Sequence, residues 1–86
     1  MASVDEVRQE VARAKDKADE SLGRIQEAIS SLDEARTALH GATHDSVQDD
    51  VHQAYGMLSE AVSNLTAVQG AIRSSITQAE GYAGRL

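Results

Sequence analysis

The chain contains no cysteine, no proline, no tryptophan and no phenylalanine. Without cysteine there is no disulfide and no thiolate zinc site, and the redox compartment stays open. Without proline nothing forces a helix to break. Two tyrosines are the only aromatic residues, so burial has to come from Val, Leu, Ile and Ala. Basic residues are scarce as well: eight Lys and Arg stand against fourteen Asp and Glu, for a net charge of −6. That balance argues against nucleic acid and anionic lipid as partners. No apolar run approaches the ~18 residues of a membrane span. The start, "MASVDEVRQEVARAKDKADE", has no apolar stretch behind a basic one, so no cleavable signal peptide is expected. The expected location is the cytoplasm, or outside the cell by a route that reads no standard signal.

With 86 residues the chain makes one domain at most, and such a domain buries only about 60% of its unfolded surface. Association is therefore an expected source of further stability.

What is present is helical pattern. Ser3 followed by Glu6 is a capping box, hydroxyl and carboxylate each satisfying an amide at a helix start. The spacing predicts a first helix over about 3–40, with Gly41 as its C′ residue. A loop is expected at about 41–45. Asp45 with Gln48, or Ser46 with Asp49, would cap a second helix over about 46–82, leaving a frayed tail at 83–86. Two helices of roughly 37 residues, each ~55 Å long, then flank one short loop.

In heptads the first helix carries Val4, Val11, Ala18, Ile25, Leu32 and Leu39 at a, and Val7, Ala14, Ser21, Ala28 and Ala35 at d. The second carries Val51, Leu58, Leu65, Ile72 and Ala79 at a, and Val47, Ala54, Ala61, Val68, Ser75 and Tyr82 at d. The unbroken 3.5-residue period specifies a left-handed coiled-coil seam. Folded as an antiparallel hairpin, facing residues can have numbers adding to 86 throughout. Leu39 then faces Val47, Ile25 faces Ala61, Ala28 faces Leu58 and Ala14 faces Ile72. Nearly every such layer joins a large residue to a small one, which keeps layer volume even. The predicted fold is all-α: an antiparallel, coiled-coil-like two-helix hairpin, associating into a four-helix bundle.

That association is predicted from residues outside the seam. At e lie Leu22 and Ile29 on the first helix, and Tyr55, Val62 and Ile76 on the second. In an antiparallel pair the two e rows share one flank, and a lone hairpin would leave it wet. An exposed patch of this kind usually marks an interface; alternatively, the e rows broaden the intramolecular core. A second candidate face lies on the second helix, whose stretch "SEAVSNLTAVQGAIRSSITQ" is almost bare of charge. Its outward positions include Gly56, Ser63, Ala67, Gly70 and Ser74, small residues that let another helix pack closely; relaxed selection on an undemanding surface would look the same. The corresponding face of the first helix is strongly charged, with Arg13, Asp16, Asp19, Glu20, Glu27 and Glu34 among its members.

Chemistry is sparse. His40, His44 and His52 cluster near the loop with Asp45 and Asp49. His40 and His44 have the i, i+4 spacing of a helical metal pair, but Gly41 stands between them. Solvated histidines at the loop and helix ends account for the cluster equally well. There is no phosphate-binding glycine loop and no nucleophile elbow, and a two-helix hairpin offers no concavity in which to tune a catalytic group. No enzyme activity, cofactor or metal is expected.

A cysteine-free, acidic hairpin of two long helices with no signal segment resembles the WXG family of small helical proteins of type VII secretion. The resemblance covers the whole chain in architecture and length. The turn reads "LHGATHD", with Gly41 in place and no tryptophan, and Tyr82 is followed four positions later by Leu86 rather than by an acid. The ending "AEGYAGRL" also looks like that of short actinobacterial helical proteins. The WXG resemblance implies export and a partner that is the chain itself, a homologous helical protein or a larger secreted effector. Three functions follow as expectations: a helical protein-interaction module, a structural protein whose hairpins assemble side by side, or a metal-responsive switch at the loop histidines.

Overall fold

The computed structural model describes residues 2–43 and 49–86. Two helices account for nearly all of them: α1, Val4–Thr43, and α2, Asp49–Gly84. They lie side by side as an antiparallel hairpin measuring 63 × 17 × 16 Å, the long dimension being that of a 40-residue helix. No strand occurs among the described residues.

The ends of the helices follow from hydrogen-bonding groups that would otherwise be orphaned. Ser3 caps α1: the Glu6 N–H donates to Ser3 Oγ at 3.1 Å, and the Val7 N–H to the Ser3 carbonyl at 3.0 Å. Gly41 does not terminate the helix as predicted. It lies within α1, and none of the described glycines has a positive φ. Glycine tolerates the left-handed C′ conformation without requiring it, and here the chain continues the helix to Thr43. The caps predicted at Asp45 and Ser46 lie outside the described residues. The tail predicted to fray from residue 83 is instead helical through Gly84. The Arg8 guanidinium donates Nε–H to the Ala83 carbonyl at 3.3 Å, and the Arg85 and Leu86 amides close the last turn on the Tyr82 and Ala83 carbonyls.

The largest departure from expectation is the register. Gln26 meets Gln69 at 3.2 Å, Arg36 meets Ser59 at 3.2 Å, and the His40 and Tyr55 rings stand 5.8 Å apart. Each pair has numbers adding to 95, not 86, because α1 runs past Gly41 and the chain reverses later. The half-buried and buried positions of α1 are Val7, Val11, Lys15, Ala18, Leu22, Ile25, Ile29, Leu32, Arg36 and Leu39. Those of α2 from Leu58 onward are Leu58, Ser59, Ala61, Val62, Leu65, Gln69, Ile72, Ile76, Ala79 and Ala83. The seam is therefore built mainly from the predicted a and e rows, with Val7 and Ala61 of the d rows at its edge. Ala14, Ser21, Ala28 and Ala35, predicted to lie in it, are exposed.

The physical reason is area. Burying apolar surface is worth roughly 25 cal/mol per Å². A seam containing Leu22, Ile29, Val62 and Ile76 removes far more of it from water than one containing alanines at the same positions. The even large-on-small layering is given up for that gain. Even so the core is thin. Only Ile29, at 9% exposure, Ala83 and Gln69 are buried among the described residues.

Candidate interaction surface

Charge divides the two helices. Among the described residues all the ion pairs lie within α1, at i,i+3 or i,i+4: Arg13 with Glu10, Lys15 with Asp19, Lys17 and Arg24 with Glu20, and Arg36 with Asp33. Such exposed pairs each contribute only about 0.3–0.5 kcal/mol, but together they keep α1 solvated along its length. The hydrogen bond and charge of Asp19 raise the pKa of Lys15 above its ordinary value of 10.5. On α2 three hydroxyls turn back onto their own helix. Ser59 donates to the Tyr55 carbonyl, Thr66 to that of Val62 and Ser75 to that of Ala71. Those three groups can lose water without leaving a donor unpaired.

The flank predicted as the interface is not open. Ile29 is buried, and Leu22, Val62 and Ile76 are half-buried in the intrachain seam. Tyr55 is the one member at the surface, 37% exposed, with its ring 5.9 Å from the Arg36 guanidinium and beside His40. Within the hairpin these residues pack against one another, as in the core-broadening alternative. The small-residue face is where it was expected: Gly56, Ser63, Ala67, Gly70 and Ser74 are all exposed on α2. A Cβ placed at Gly56 or Gly70 would meet nothing within 4 Å.

Rotating the e rows inward turns the d rows outward, and in an antiparallel pair both d rows run along one flank. At the free end, Val7 and Ala14 of the d row line an open groove of about 400 Å³ with Val11 and Ala79 of the a rows and with Glu6 and Glu10. Further along, Ala28 and Ala35 of α1 are exposed, Ala54 and Ala61 of α2 are half-buried, and Val68 is 45% exposed. Met57, on the outer side of the same flank, is 71% exposed, and Tyr82 at its far end 52%. The side-chain hydrogen bonds between the helices, Gln26 to Gln69 and Arg36 to Ser59, lie on the other flank. That side of the hairpin is thus zipped by polar groups, and the d-row side carries exposed small and apolar side chains.

This flank escaped sequence reasoning because its residues were assigned to the core. The available signal was the width of the apolar stripe. On each helix the a row is flanked on one side by a d row of small or apolar residues and on the other by an e row that is apolar in its middle, at Leu22 and Ile29 and at Val62 and Ile76, whereas a two-stranded seam needs only two rows.

His40 and His52 are described but His44 and Asp45 are not, so the loop cluster is not seen whole. Among the described residues no three His, Asp or Glu side chains converge on a point. No helix among them is long and apolar enough to cross a membrane. The chain matches no family model, no curated protein and no solved structure.

Proposed function

We propose that the hairpin is a non-enzymatic protein-interaction module, a helical surface that docks on a second helical surface to complete a bundle. The observation that carries this reading is the imbalance between surface and core. The chain exposes 6326 Å², where a compact protein of 9.2 kDa would expose roughly 4,900 Å². A fold with so little interior gains stability by covering one of its faces. The partner is the chain itself, a homologous helical protein or a larger effector, and the WXG-like architecture makes a type VII secretion substrate or accessory the specific role. Docking would be helix on helix, with apolar burial setting affinity and the charged α1 maintaining solubility.

The open backbone at Gly56 and Gly70 favours a second reading, a structural protein with two different patches. A second, non-equivalent patch lets hairpins propagate rather than close.

The test is thermal unfolding followed by helicity, for the chain alone over a wide concentration range and mixed with proteins encoded beside it. An interaction module melts low when dilute, and its midpoint rises with its own concentration or with a partner's. A high midpoint that neither concentration nor partner moves would remove the reading. Sedimenting polymers would select the assembly alternative.

A further inference from the structure

We infer that the hairpin has two registers: the observed one, and a second in which α1 and α2 slide past each other by about nine residues, roughly 13 Å. In the second, facing numbers add to 86 and the d rows replace the e rows in the seam. The a rows serve both.

The first support is what the observed register leaves out and what it takes in. Val4, Val68 and Tyr82 are 43%, 45% and 52% exposed. All three belong to the second seam, where Val4 faces Tyr82 and Val68 faces Ala18. The observed seam meanwhile holds Lys15 and Arg36 half-buried and Gln69 buried. In the second, Ser21 and Ser75 alone interrupt rows of apolar side chains.

The second support is complementarity. With numbers adding to 86, Ala14 faces Ile72, Ser21 faces Leu65, Ala28 faces Leu58 and Ala35 faces Val51. Small meets large in each layer, as a well-filled seam requires. The observed register makes no use of this match, since Ala14, Ser21, Ala28 and Ala35 are exposed in it.

Each register has stabilising terms the other lacks. The observed one buries Leu22, Ile29, Val62 and Ile76 and makes the hydrogen bonds Gln26 to Gln69, Arg36 to Ser59 and Arg8 to Ala83. The second returns Lys15, Arg36 and Gln69 to water and ends α1 at Gly41, a poor residue for a helix interior. Sliding also inverts the surface: Leu22, Ile29, Val62 and Ile76 come out, and Val4, Val68 and Tyr82 go in. One element ratcheting past another in this way presents a partner with either of two flanks.

Distances between two spin labels decide between one register and two. The labels sit on Asp16→Cys and Ser63→Cys, both exposed positions, and the labelled chain is diluted in unlabelled chain so that only distances within one molecule are read. The sites lie about 16 residues apart along the axis in the observed register and about seven in the second, which shortens the distance by about 10 Å. Wild type is expected to show a major long distance and a minor short one. Ser75→Leu should raise the short population about tenfold relative to the long one, because the new side chain is buried only in the second register. Val68→Ala should lower it several-fold. Both positions are exposed in the observed hairpin, so neither substitution damages that seam.

A single long distance in wild type and in Ser75→Leu would overturn the second register. A continuous spread without two peaks would do the same. So would a short population that neither substitution moves, since it would not come from the d rows.

Discussion

Gln69 donates its side-chain N–H to the Gln26 side-chain carbonyl across the hairpin at 3.2 Å, and at 5% exposure Gln69 is the most buried of the described residues. A polar side chain at the most protected point of a thin apolar seam is poorly placed for stability. A hydrogen bond of this kind is worth only about 0.5–1.5 kcal/mol net, whereas leaving one partner buried and unpaired would cost about 1–3 kcal/mol. The pair therefore penalises every arrangement in which Gln69 is buried away from Gln26. That is a register device, of the kind a single buried amide provides in coiled coils.

Gln69→Leu is accordingly expected to raise the thermal midpoint while loosening the register. Gln26 is exposed and stays hydrated when its partner is removed, so the gain is about 1 kcal/mol, or some 4–8 °C for a domain of this size. Because the chain has no cysteine, pairs of introduced cysteines can read the register directly. Wild type should cross-link at one facing pair, and Gln69→Leu at more than one. A variant that is less stable would show that the amide contributes more than specificity.

Ile29→Ala separates the observed seam from the one expected from the heptads. Ile29 is buried and Ala28 beside it is exposed, the reverse of the expected order. The substitution should destabilise by about 2–4 kcal/mol, a large fraction of what a hairpin of this size possesses. Urea midpoints check it; a loss below about 1 kcal/mol would place Ile29 outside the core.

Gly56→Ala and Gly70→Ala are each expected to stabilise by about 0.5–1 kcal/mol, through reduced backbone freedom in the unfolded chain. The new methyl group meets open space within the hairpin, so nothing in the chain opposes the gain. If either variant is instead less stable at high protein concentration only, the back face of α2 is itself covered by another molecule.

Arg8→Ala should loosen the free end of the hairpin without altering the middle. The guanidinium ties the first turns of α1 to the Ala83 carbonyl, where a cation also suits the negative end of the α2 dipole. Hydrogen exchange at Gly84, Arg85 and Leu86 should accelerate several-fold, with amides near Leu65 unchanged. Uniform acceleration along both helices would mean that the hairpin closes from its open end.

The Lys15 pair contributes a pH dependence confined to the alkaline side. Asp19 raises the Lys15 pKa above 10.5. Its stabilisation is therefore fully present below the unfolded value and is lost as pH rises through the higher folded value. Stability should be insensitive to this pair from neutrality to about pH 10 and decline above that. Lys15→Gln should remove that part of the decline; an equal alkaline slope in the variant would assign it to other groups.

How much of this was legible follows from what each feature depends on. Helix content, the Ser3 cap and the contrast between a charged α1 and a lean α2 are written locally: in the 3.6-residue spacing of apolar residues, in side chains three and four apart, and in the absence of proline. The sequence alone determined a two-helix hairpin, because two long amphipathic stripes joined by a short connection can cover each other in no simpler way. Which rows of the stripe meet was not determined locally. Each helix carries three adjacent rows that a rotation of about 50° interchanges, and the d-row alanines satisfy the pattern as well as the e-row leucine and isoleucines do. The choice depends on where the chain reverses, past Gly41 rather than at it, on the area buried when Leu22 and Ile29 meet α2, and on Gln69 finding Gln26. Those are long-range relations between residues up to 75 positions apart, as Arg8 and Ala83 are, and only the packed hairpin decides them. The same decision left Ala28, Ala35 and Val68 facing outward, so the candidate interface is a consequence of the tertiary structure and not of any motif.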